Sequence, residues 1–92
     1  MAGSAAAGGR AVRVEIRVEL KPDVEDAEAE SIAKGLELLG VRAVRSVRLA
    51  RLYELTFEGV SAAEAERRAY EAVERLLANP VIHRVTVTPR PE

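Results

Sequence analysis

The sequence has no cysteine, no tryptophan, a single histidine (His83) and only three aromatic side chains, Tyr53, Phe57 and Tyr70. Without cysteine there is no disulfide, no thiolate nucleophile and no zinc–thiolate site. A reducing cytoplasm is the natural setting for such a chain. With so few aromatics the core must be aliphatic and alanine-rich. An excess of one charge is lacking too: 14 basic side chains face 15 acidic ones, for a net charge of −1. No global field therefore draws the protein to nucleic acid or to an anionic membrane. No apolar run approaches the ~18 residues of a membrane span. Residues 1–9 have neither the basic start nor the apolar stretch of a signal peptide, and residues 1–10 read as a flexible tail. The 92 residues suffice for one domain near the lower size for a self-sufficient core, expected over residues 11–88, with 89–92 as a polar C-terminal tail.

What is present is pattern. Val12, Val14, Ile16, Val18 and Leu20 alternate with Arg13, Glu15, Arg17, Glu19 and Lys21, predicting a strand with one buried and one wet face in an antiparallel sheet. Pro22 and Asp23 end it, and Asp23 or Asp26 can cap the next element. From Asp26 the spacing becomes Ala29, Ile32, Ala33, Leu36, Leu39, an amphipathic helix that ends at Gly40. Gly35 inside it costs about 1 kcal/mol relative to alanine, which either close packing or tolerance explains. Val44 to Glu58 is strand-like again, with Arg51 interrupting the apolar phase. This predicts a long two-stranded arm around Ala50, Arg51 and Leu52, without the Asn-Gly of a tight hairpin. Ser61 and Glu64 make a capping box for a helix with the stripe Ala65, Ala69, Ala72, Val73, Leu76. Asn79, able to take the left-handed conformation, and Pro80, without an N–H, close that helix at a corner. A final period-2 run passes through His83, Val85 and Val87. The order βαββαβ predicts an α+β fold, an antiparallel sheet covered on one face by two helices in ferredoxin-like fashion, with a long central hairpin. A small alanine-rich core and exposed strand edges on the arm also predict self-association.

Catalytic groups are scarce. His83 shares the phase of Val85 and Val87, and with no second histidine and no cysteine it makes a poor metal site. Ser61 is a cap, and Ser31 and Ser46 lie in no nucleophile motif. The carboxylates line the solvent faces of helices, and Gly8-Gly9 precedes a strand rather than joining strand to helix as a phosphate loop does. The conspicuous polar feature is Arg42, Arg45, Arg48, Arg51, which reads as a charged strand edge that discourages aggregation or as a site for a protein or a phosphate-bearing ligand. Tyr53 and Phe57 lie in the buried phase, which argues against base stacking on an open sheet.

Four stretches carry a resemblance: Leu39-Gly40, Val44-Arg45-Ser46-Val47-Arg48, Tyr53-Glu54-Leu55 and, most specifically, Leu76-Leu77-Ala78-Asn79-Pro80-Val81-Ile82. Over roughly Val12 to Val87 the chain resembles PurS, the small subunit of phosphoribosylformylglycinamidine synthase. It departs with Ala50-Arg51 where that family usually has Gly-Lys, and with His83 where an acidic residue usually stands. The resemblance implies a role in purine synthesis, in a complex that uses ATP and Mg to activate the amide oxygen of formylglycinamide ribonucleotide for displacement by glutamine-derived ammonia. It further implies a non-catalytic cytoplasmic subunit that binds no cofactor itself, forms a dimer or tetramer, and bridges a glutaminase subunit and a synthetase subunit. Exposed Arg48, Arg51 and Glu54 on the arm are the expected docking residues, and Asn79 and Pro80 the structural corner. A free-standing ferredoxin-like regulatory module, with the arginines as an anion site, is the competing reading. An acylphosphatase-like enzyme lacks its glycine-rich anion loop here.

Overall fold

The alternation from Val12 onward folds as the strand it predicts, β1 (Ala11–Leu20), in the computed structural model, which describes residues 11–91. The expected flexible tail of residues 1–10 lies outside the described residues. β1 is flanked by antiparallel partners on both edges, β2 (Ala50–Glu58) and β3 (His83–Pro91), in the order β2-β1-β3. Because its neighbours hide both edges, only one of its faces needs a cover. Val12, Val14, Ile16 and Val18 on that face are buried, Val14 and Ile16 completely.

The cover is the helix α2 (Ala62–Ala72), whose Ala65 and Ala69 are fully buried against β1. Alanine suits this contact because it sacrifices no rotamer freedom and lets the helix axis approach the sheet closely. Tyr53, Leu55, Phe57, Val85 and Val87 pack around the same cluster from the flanking strands. Ser61 caps α2, its Oγ accepting from the Glu64 N–H at 3.1 Å. The Glu64 carboxylate turns outward and accepts from Arg67 and Arg68, which hold its carboxyl at about 2, well below the ordinary carboxylate range.

The last helical turn is a π turn over Val73–Leu77. One extra residue in the turn rotates everything after it by roughly 100°. Leu77 therefore packs on the core while Leu76, expected on the buried stripe, is 82% exposed.

The first helix, α1 (Ala27–Leu38), begins and ends as its sequence prescribes. The Asp26 side chain accepts from the Ala29 N–H at 3.0 Å. At the other end Gly40 N–H donates to the Glu37 carbonyl and Val41 N–H to that of Leu36, a Schellman closure with Gly40 left-handed at φ +80°. Its flank is another matter. Only Ala29 is buried, and Ile32, Leu38 and Leu39 reach solvent. α1 thus meets the rest of the chain mainly through its first turn. The molecule is long, 53 × 29 × 18 Å, with a radius of gyration of 17.6 Å, whereas a compact chain of this length gives about 12 Å.

Two expectations are corrected. The long hairpin is not formed: residues 41–49 contain no strand, so the sheet has three strands where four were expected. Ala50, Arg51 and Leu52, placed at the tip by sequence, are strand residues paired with Glu19, Val18 and Arg17. Residues 44–49 have no strand beside them within the chain to pair with, so they stay irregular and the chain runs directly into β2. The left-handed residue lies earlier, at Ala43, φ +66°. The C-terminal tail expected over 89–92 is likewise strand through Pro91, opposite Val12 to Val14. β3 is an edge strand, where a proline need not donate, and Arg90 Nε is 3.0 Å from the Glu15 carboxylate.

The glycines of α1 supply a test. A Cβ at Gly35 would meet nothing within 4 Å, so close packing within the chain does not explain it, and Gly35→Ala should stabilise by up to about 1 kcal/mol. Gly40→Ala, equally open but left-handed, should destabilise by about 1 kcal/mol. Urea denaturation should move the two midpoints in opposite directions; equal midpoints would contradict the assigned conformations.

Candidate partner interface

The three docking residues expected from sequence do not converge on one surface. Arg51 stands opposite Val18 and so shares the apolar face of the sheet, at its open end, while Glu54 stands opposite Glu15 on the other, solvated face. Arg48 precedes the sheet altogether, in the irregular segment 41–49. Of the wider arginine group, Arg42 and Arg45 belong to that same exposed segment.

Arg48 is nonetheless anchored. Its Nη2 donates to Glu19 Oε1 at 3.1 Å, and Arg84 Nε donates to Glu19 Oε2 at 3.3 Å, with Arg17 Nε at 4.0 Å. One carboxylate, with its side chain only 12% exposed, thus ties the loop before β2 to β1 and β3. With the arginines about half exposed, each pair contributes at most about 1 kcal/mol, and the tie fixes position more than it adds stability. Sequence reading missed Glu19 because it looked like one more polar residue of a wet strand face. Its partners lie 29 and 65 positions away, and no local pattern announces them.

The corner after α2 forms where expected, by a different device. Asn79 does not have a positive φ; Ala43 is the one non-glycine residue that does among those described. Instead Asn79 Oδ1 accepts from the Val81 N–H at 2.9 Å, and its carbonyl accepts from the N–H groups of Ile82 and His83 at 3.1 and 2.8 Å. This is an asparagine side chain imitating a turn of backbone. Ile82 then accepts from the Lys21 N–H at 2.9 Å, stitching the corner to the end of β1. His83, opposite Leu20 in the sheet, returns its Nδ1 to the Asn79 N–H at 2.9 Å.

Around these features lie exposed apolar side chains in two groups. Ile32, Leu38, Leu39, Val41 and Val44 run along α1 and its exit, and Tyr70, Leu76 and Val81 surround the corner. Single exposed apolar residues are ordinary, but the cluster at the end of α1, where Leu38 and Leu39 are 83% and 80% exposed beside Val41 and Val44, forms a surface suited to contact. Among the described residues no group of three metal-ligating side chains is close enough to hold an ion, and no helix is long and apolar enough to cross a membrane.

A three-stranded antiparallel sheet with one helix on its apolar face and a second helix whose far end is exposed defines a small α+β module. The chain belongs to the PurS family, described as phosphoribosylformylglycinamidine (FGAM) synthase, whose sequence model matches residues 13–90. The phosphoribosylformylglycinamidine synthase subunit PurS of Archaeoglobus fulgidus is 40% identical over 73 residues, 79% of this chain and 91% of that protein. The crystal structure of the PurS subunit from Thermotoga maritima superposes with a TM-score of 0.80 at 26% identity, covering 89% of this chain and 94% of that one. A chain in the structure of PurLQS from the same organism gives 0.79 at 26% identity, covering 87% and 98%.

The corner is tested by two substitutions. Asn79→Ala removes the Oδ1 acceptor and should cost about 1 kcal/mol, and Pro80→Gly should cost on the order of 1 kcal/mol by freeing the unfolded chain. Both are read as a fall in the urea midpoint. Unchanged midpoints would show that the corner carries no stability.

Proposed function

We propose that this protein is the small subunit of a cytoplasmic phosphoribosylformylglycinamidine synthase, and that it works by contact rather than by chemistry. It holds a glutaminase subunit and an ATP-dependent synthetase subunit in register so that ammonia released from glutamine reaches the site where phosphorylated formylglycinamide ribonucleotide is waiting. ATP and Mg belong to the synthetase, and this chain supplies no catalytic group. The observation that carries the reading is the family match across residues 13–90, nearly all of the described chain. The presence of a PurS-like chain in the Thermotoga maritima PurLQS structure supports the choice of partners.

The open surfaces fit that role. The exposed apolar end of α1, Leu38 and Leu39 with Val41 and Val44, is suited to a second copy of the chain, as dimer or tetramer, since a shared apolar face is best satisfied by symmetric pairing. Exposed Arg51 and Glu54 are suited to docking the larger subunits, because charges at a rim set orientation and association rate. Arg48 contributes by fixing the loop beside them through Glu19.

Reconstitution tests the proposal. With the matching glutaminase and synthetase, adding this protein should raise the glutamine-dependent rate by at least about tenfold, a difference of about 1.4 kcal/mol in effective barrier, while the rate with free ammonia changes little. Equal glutamine-dependent rates with and without it would overturn the bridging role.

A further inference from the structure

The corner between α2 and β3 holds a bond with a chemical condition attached. The Asn79 N–H, left without a helical acceptor because the π turn ends at Leu77, donates to Nδ1 of His83 at 2.9 Å. Nδ1 can accept only while it carries no proton, so the ring must be neutral with its hydrogen on Nε2. An imidazolium has donors at both nitrogens and presents N–H to N–H. We propose that His83 is a proton-operated latch: the neutral ring holds the Asn79 N–H and proton uptake frees it, while the bonds to the Asn79 Oδ1 and carbonyl keep the turn itself.

The surroundings give the released ring somewhere to go. His83 lies between two surface hollows. Toward β1, α1 and β2 it faces a hollow shared with Glu19, Asp26, Glu28, Arg51 and Tyr53. Toward α2 and the π turn it faces another shared with Tyr70 and Glu74. Glu19 is already taken by arginines. The other charged groups lining the hollows are Asp26, which caps α1, Glu28 and Glu74 against Arg51. Next along its own strand is Arg84, held outward by Glu19, which therefore does not oppose the change.

The latch acts on a surface. Leu76 and Val81, 82% and 75% exposed, stand on either side of Asn79, with half-exposed Tyr70 nearby. The freed Asn79 N–H lies at the junction of the π turn and the corner, so its loss loosens the step that presents Leu76, while Val81 stays held by the Asn79 Oδ1. Histidine is the side chain whose ordinary charge change falls between pH 5 and 8.

The test is an NMR titration of the full-length protein from about pH 7.5 to about pH 5.5, monitoring the Asn79 amide and the His83 ring together. The Asn79 amide should move upfield in step with ring protonation. Its hydrogen exchange, corrected for intrinsic pH dependence, should quicken by about fivefold, the worth of one ordinary hydrogen bond. His83→Asn places an amide oxygen where Nδ1 stood and should abolish both responses. An Asn79 amide that stays unmoved while the wild-type ring titrates would overturn the latch, as would a His83→Asn protein that still shows the full response.

Discussion

Everything in this molecule depends on β1 being hidden from three directions. Its edges are taken by β2 and β3, and its apolar face lies under two alanines of α2. The buried side chains are few and short, Ile16 and Val14 being the largest that are fully enclosed. Each contributes about 1.5–3 kcal/mol on burial, against a total stability that for small domains is only about 5–15 kcal/mol. A core so thin leaves little to spare for anchoring distant parts. Those parts are held by polar stitches instead: Glu19 for the loop before β2, and the Asn79 turn for the passage from α2 to β3.

The thin core also explains why α1 is left out of it. Its caps are complete, so the helix is locally well specified, yet a lone helix of 12 residues is marginal in water without tertiary packing. The far end of its stripe, with Leu38 and Leu39 exposed, has no cover from the described residues. An element with a strong apolar pattern, correct ends and no internal partner is what an assembly subunit looks like when it is viewed alone. This fits the proposed work of a bridge, whose useful surfaces are those its own fold does not consume.

Much of this was legible in the sequence, for reasons that differ by element. β1 was plain because both of its faces are decided within the chain, so period-2 alternation and burial agree. The Asp26, Ser61 and Gly40 signals were plain because caps are local chemistry. The segment 44–49 was misread as half of a hairpin because alternation shows a capacity to be a strand, while a strand needs a neighbour that this chain does not supply. Leu76 was misplaced because a helical wheel assumes a constant 3.6 residues per turn, and the π turn breaks that assumption after Val73. Pro89 and Pro91 looked like a tail because a proline stops most strands, although on an outer edge it does not. The family resemblance identified the chain where motif chemistry could not, since contact surfaces leave no catalytic signature.

The proposed bridge leaves the exposed apolar end of α1 to be covered by a second copy of the chain. Sedimentation equilibrium on the isolated protein at micromolar concentration tests it most directly. The account predicts a mass at an integer multiple of the 10.0 kDa chain, falling toward that of the single chain when Leu39→Asp places a charge on the stripe. A wild-type protein that sediments as a 10.0 kDa species throughout would contradict it.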